Sequence, residues 1–177
     1  ENNQIEKVLE VTDKTNDIPD WLDLHKWEYD KLAKLYHDIP AQYAKGEKDV
    51  PEKSWDKCDT KLHEILSDRV HYCLTQAAEP NLVVIDFDIH GEDGKKSFSK
   101  NVEEASKWPK TYAELSKGGE GIHLHYIYNG DVTQLSPVYS PNVEVKVFTG
   151  KQALRRRLSK CNDLDISVLQ PGSLPLK

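Results

Sequence analysis

The stretch LVVIDFDIHG, residues 82 to 91, begins as an apolar run suited to a buried strand and then sets Asp86, Asp88 and His90 at every second position. Successive side chains of a strand point to opposite faces, so Ile85, Phe87 and Ile89 share one face while Asp86, Asp88 and His90 share the other. Two carboxylates roughly 6 to 7 Å apart along one strand cost several kcal/mol to half-bury unless cations or hydrogen-bond donors compensate them. Either this strand runs out into solvent as an edge, or its charged face meets positive groups or a ligand.

Two later segments alternate in the same way. In GIHLHYIY the residues Ile122, Leu124, Tyr126 and Tyr128 oppose His123 and His125, and in VEVKVF the residues Val143, Val145 and Val147 oppose Glu144 and Lys146. If the three apolar faces share one core, then Asp86, Asp88, His90, His123, His125, Glu144 and Lys146 share one surface. Three carboxylates are hard oxygen ligands of the kind Mg²⁺ and Mn²⁺ take, while a lysine and histidines suit the oxygens of a phosphate chain. The glycine-rich SKGGEG before the histidine strand lets backbone approach a ligand closely and offers amides to phosphate.

Around these strands the chain reads as follows. Apolar residues at helical spacing in DWLDLHKWEYDKLAKLYHDI and SWDKCDTKLHEILSDRVHYCLTQAA predict helices in the first eighty residues, with Ser54 as an N-cap and PAQYAKGEKDVPEK as a loop between them. From Asn81 the pattern predicts a strand over 82–89, a helix around 99–108, strands over 111–116, 122–128 and 143–148, a helix over 151–158 and a strand over 165–169. This order implies an α+β fold in which a helical N-terminal region, 1–80, packs on a sheet core, 81–177, with helices on one face. Four Trp and eight Tyr argue against disorder despite 31% charged residues, and Trp21, Trp27, Trp55 and Trp108 read as packing residues.

No segment reaches the roughly 18 apolar residues of a membrane span, and ENNQIEKVLE lacks the basic and apolar parts of a signal peptide, so a cytoplasmic protein without a membrane partner is expected. The cysteines Cys58, Cys73 and Cys161 suggest no disulfide frame and are expected as free thiols. The absence of Met and the ending PGSLPLK suggest a domain cut from a longer protein. A net charge of −6 argues against a general nucleic-acid coat protein, yet Lys146, Lys151, Arg155, Arg156, Arg157 and Lys160 follow Glu144 with no intervening acid. Such a local basic patch steers polyanions whatever the total charge.

The segments VVIDFDIH, TYAELSKGGEGIHLHY and VEVKVF, in this order, resemble the three motifs of the archaeo-eukaryotic primase superfamily, in particular the primase-polymerases of phages and mobile elements. The resemblance covers roughly residues 81 to 160. It implies an antiparallel catalytic core like that of RNA-recognition-motif domains, and a nucleotidyltransferase that copies a single-stranded DNA template from a primer using ribo- or deoxynucleoside triphosphates. It implies that Asp86, Asp88 and Glu144 hold two Mg²⁺ or Mn²⁺ ions and that His123 contacts the triphosphate. Gly121 stands where many members carry a serine, so backbone amides of the turn at Gly119 and Gly121, or Ser116, would take that phosphate contact. Lys146 fits a basic position two residues after the third acid, and His125 is a second candidate at the nucleotide. Lys151, Arg155 and Arg156 would contact template phosphates. A helicase domain in the same longer chain, in a bacterial host, belongs to the same expectation.

Two other readings arise from the residues. His123-Leu-His125 matches the His-hydrophobe-His metal pair of rolling-circle nucleases and relaxases, but the later tyrosines Tyr126, Tyr128 and Tyr139 fall in strand or Pro-flanked loop rather than on a downstream helix. A non-catalytic nucleic-acid-binding replication domain would have no need of three carboxylates. Cys58, His63, His71 and Cys73 lack a Cys-x-x-Cys spacing and read as core and surface residues rather than a zinc site.

Overall fold

The computed structural model describes residues 18–27, 37–48, 50–65, 72–77, 79–149, 152–157 and 159–177. The first strands are short: β1 (Ala41–Gln42), β2 (Ala44–Lys45) and β3 (Val50–Pro51). They are followed by β4 (Tyr72–Thr75), β5 (Leu82–Phe87), the helix α1 (Phe98–Ala105), β6 (Ala113–Leu115) and β7 (Ile122–Tyr128). The chain ends with β8 (Val138–Ser140), β9 (Val143–Phe148), β10 (Leu154–Arg157) and β11 (Ser167–Leu169). The fold is mixed α and β, mostly antiparallel, with one α-helix among the described residues.

The central sheet runs in the order β11-β7-β5-β9-β8, with β6 also paired to β7. Its ladders are antiparallel except that of β11 on β7. The alternation that marked β5, β7 and β9 builds the core directly. Val83, Ile85, Phe87, Ile122, Leu124, Tyr126, Val143 and Val145 are all buried on one face, where Val102 and Ala105 of α1 and Trp21, Leu22 and Leu24 cover them. Each such apolar side chain withdrawn from water contributes roughly 1.5 to 3 kcal/mol. Among the described residues the opposite face is covered at one end, where Leu82 and Val84 pack with Leu154 of β10. There a second sheet, β1-β4-β10, lies over it.

Three expectations are corrected. The segment expected as a helix over 151–158 is the strand β10, with Arg155 opposite Leu74 and Arg156 opposite Cys73 of β4. Ala, Leu and Arg are good helix formers, but pairing with β4 and burial of Leu154 outweigh an intrinsic preference of a few tenths of a kcal/mol per residue. In the first eighty residues the described parts of the two expected helices hold 3₁₀ turns at Asp20–Leu22, Leu24–Lys26, Trp55–Lys57 and Leu62–Glu64, and then β4. The rest of those helices, 28–36, 66–71 and 78, lies outside the described residues. The stretch PAQYAKGEKDVPEK, expected as a loop, carries the short strands β1, β2 and β3, while from Asn81 the other expected elements stand where the spacing puts them, with ends shifted by at most three residues.

α1 fixes the loops around the sheet. Its N-cap Ser97 accepts a hydrogen bond from the Lys100 amide at 3.3 Å. Asn101, fully buried, accepts from the Ile89 amide at 2.9 Å and donates to the Glu120 carbonyl at 2.9 Å. One side chain thereby ties the segment after β5 to the turn before β7.

Candidate functional site

Strand register sets the site. Asp86 on β5 lies directly across from His123 on β7 and from Glu144 on β9, while Glu114 on β6 lies across from His123. Val138 on β8 stands across from Glu144, completing a row of five side chains across the sheet. Directly opposed residues bring their Cβ atoms to about 4.5–5.5 Å, so the row is a line of interacting groups. One pair further along, Val84 faces His125 on one side and Lys146 on the other.

Asp86 is the hub of the open part of this face. His123 Nε2 lies 3.2 Å from its Oδ1 and Lys146 Nζ 2.9 Å from its Oδ2. Burial alone would raise its pKa, but the hydrogen bonds and charges of His123 and Lys146 outweigh that and hold the carboxyl well below the usual range. Asp86 and His123 are 16% and 18% exposed while Lys146 is 44% exposed, so the face opens from β7 toward β9. Glu144 is exposed at that open end. Asp88, beyond the end of β5, donates its amide to the Asn142 carbonyl at 2.9 Å, and its carboxylate is 3.1 Å from Lys96 Nζ.

The glycine-rich turn is built into the same region. Ser116 and Gly121 exchange backbone and side-chain hydrogen bonds: the Ser116 amide donates to the Gly121 carbonyl and the Gly121 amide to Ser116 Oγ, both at 2.9 Å. Gly119 takes φ +89°, a conformation that favours glycine. A Cβ on Gly121 would come within 2.9 Å of Ser116 Oγ and 3.0 Å of the Phe87 carbonyl, which as backbone cannot yield. From outside, Arg157 Nη1 donates to the Ser116 carbonyl at 2.8 Å.

Other expected residues stand elsewhere. His125 shares the face of His123 but is fully buried, its Nε2 3.6 Å from Glu114 Oε1. Arg156, expected at a template, is a correction: on a strand it faces opposite to the exposed Arg155 and is fully buried, its Nε 3.6 Å from Glu114 Oε2 and its guanidinium 4.8 Å from the Tyr112 ring centre. Lys151 lies outside the described residues. His90 is exposed and its backbone bridges to Lys96.

Glu114 was missed from sequence, although the alternation of TYAELS places it on the face of Tyr112. Its Oε2 accepts from Tyr112 Oη at 2.8 Å and from the Arg157 amide at 3.2 Å. Burial pushes its pKa up, but His125 and the Arg156 charge outweigh it and bring it down to about 2. Burial lowers the His125 pKa to about 4 against the opposing pull of Glu114, so the imidazole is neutral at pH 7. The buried charge is then a Glu114–Arg156 pair.

Among the described residues, no three His, Cys, Asp or Glu side chains stand grouped so as to hold a metal ion. The acids instead meet lysines, Asp86 with Lys146 and Asp88 with Lys96. The chemistry of the donor set nonetheless fits a divalent cation: Asp86 and Glu144 form a directly opposed carboxylate pair, and Asp86 is ionised at neutral pH. No protein-family model matches the chain, and no curated protein matches it. Among the described residues no helix is long and apolar enough to cross a membrane.

Proposed function

We propose that the protein is the catalytic domain of a DNA primase-polymerase, extending a primer along a single-stranded DNA template from nucleoside triphosphates. One observation carries the reading: Asp86, a half-buried carboxylate, is flanked on its two neighbouring strands by Glu144 and His123, with Lys146 also on it. Asp86, Asp88 and Glu144 would hold Mg²⁺ or Mn²⁺. Bound there, the ions would lower the pKa of the primer 3′-hydroxyl and neutralise charge on the reacting phosphate.

The chain's own groups have separable tasks. Asp86 is already deprotonated, so ligation at neutral pH releases no proton from it. His123 and Lys146 approach Asp86 from opposite sides, and both would turn to the oxygens of a triphosphate lying over the row. The turn from Ser116 to Gly121, which leads into the His123 strand, is held by Asn101 and Arg157. The exposed Arg155 remains a candidate for template phosphates. An antiparallel core of the RNA-recognition-motif type, a helicase domain in the same longer chain and a cytoplasmic site of action in a bacterial host belong to the same proposal.

A rolling-circle nuclease would need His123 and His125 on one metal, and the complete burial of His125 against Glu114 gives that reading no support. The deciding experiment is primer extension on a single-stranded template with Mn²⁺ or Mg²⁺. Extension that Asp86→Asn abolishes supports the polymerase. Nicking of single strands, or binding without turnover, overturns it.

A further inference from the structure

The segment between β5 and α1 folds back on itself. The Gly91 amide donates to the Lys95 carbonyl at 2.8 Å, the Ser97 amide donates to the Ile89 carbonyl at 2.9 Å, and His90 and Lys96 form an antiparallel bridge between these bonds. Gly94, at φ +78°, turns the tip. This hairpin holds Lys96 opposite the acid strand, with Nζ 3.1 Å from Asp88 Oδ1. Asn101 anchors its base through the Ile89 amide and links it to the Glu120 carbonyl of the glycine-rich turn.

Asp86 of β5 and Asp88 just past its end are thus each met by a lysine from a different element, Asp86 by Lys146 of β9 and Asp88 by Lys96 of the hairpin. The Asp88–Lys96 pair is 43% and 45% exposed. Exposed pairs of this kind are worth about 0.2 to 1 kcal/mol, so a divalent cation or a polyphosphate can separate them at little cost. The backbone bridge keeps the lysine within reach when its partner is taken.

We propose that Lys96 is a further nucleotide-binding residue: it neutralises Asp88 in the free protein and moves to a phosphate oxygen of the triphosphate when a cation takes the carboxylate. This rests on the polymerase reading of the site. Lys96 then has opposite effects on two ligands, competing with the metal for Asp88 and attracting the triphosphate.

The test is calorimetric titration of the protein with Mn²⁺ alone, and with a deoxynucleoside triphosphate in saturating Mn²⁺, for the wild type, Lys96→Ala and Lys96→Arg. Removal of the competing cation should tighten Mn²⁺ binding by up to about five-fold, the equivalent of losing an exposed pair. Loss of a charge-assisted phosphate contact should weaken triphosphate binding by about ten-fold, and Lys96→Arg should restore it. Unchanged affinities in Lys96→Ala, or a loss of both together, overturn the role of Lys96 while leaving the site reading intact. A wild type that binds neither Mn²⁺ nor the triphosphate overturns both.

Discussion

β7 carries two histidines, two residues apart on one face, and each stands near a carboxylate: His123 near Asp86 and His125 near Glu114. Basic groups complete both clusters, Lys146 in the first and Arg156 in the second. The first lies where the sheet face opens to water, and the second lies under β4 and β10. That difference in cover decides what each can do. A half-open cluster can exchange partners with a ligand at small cost, whereas a buried one must stay intact, because stripping one charge of its partner in low dielectric costs several kcal/mol.

The comparison breaks most visibly at the buried pair. Arg156→Ala should destabilise the protein by about 3–5 kcal/mol in urea unfolding, because Glu114 is left buried without its cation. Replacing both, with Glu114→Leu and Arg156→Met, should cost less than either single change. Tolerance of Arg156→Ala would show that the buried cluster does not hold the fold together.

At the open cluster the larger effect should fall on activity. Asp86→Asn should lower primer extension at least about 100-fold, a loss of roughly 2.7 kcal/mol of transition-state stabilisation. Its urea midpoint should move far less than that of Arg156→Ala. A variant that extends primers normally would show that the open row does not hold the reacting groups.

pH separates the clusters further. His125 titrates near 6.5 when unfolded and about 4 when folded, so between these values the unfolded chain binds more protons and stability falls as pH drops. The slope approaches 1.4 kcal/mol per pH unit for one proton. Glu114, lowered from 4.5 to about 2, extends the same loss below pH 4.5. His125→Gln should flatten the stability profile between pH 6.5 and 4, as followed by thermal melts in that range. A profile as steep as the wild type's would place the titration elsewhere.

The smallest expected effect sharpens the contrast. Lys96→Ala breaks a half-exposed pair and should change unfolding stability by less than about 1 kcal/mol, while Arg156→Ala breaks a buried pair of similar composition. Similar losses from the two would mean that cover does not distinguish the clusters.

Alternation in LVVIDFDIHG, GIHLHYIY and VEVKVF was enough to identify β5, β7 and β9, their buried faces, and the common surface of Asp86, His123, Glu144 and Lys146. A strand has a period of two, and apolar residues can satisfy it in only one orientation once one face is a core. Which residues stand directly opposite, with Asp86 between His123 and Glu144, is a matter of register that no single strand records. KQALRRRL has the composition of a helix and became β10 because β4 supplied a ladder for it. His123 and His125 look equivalent in sequence. The second sheet, laid over one end of the face by chain segments some eighty residues apart, made one a partner of Asp86 at the open site and the other a neutral, buried neighbour of Glu114, since burial penalises charge and that penalty is set by cover brought in from distant chain.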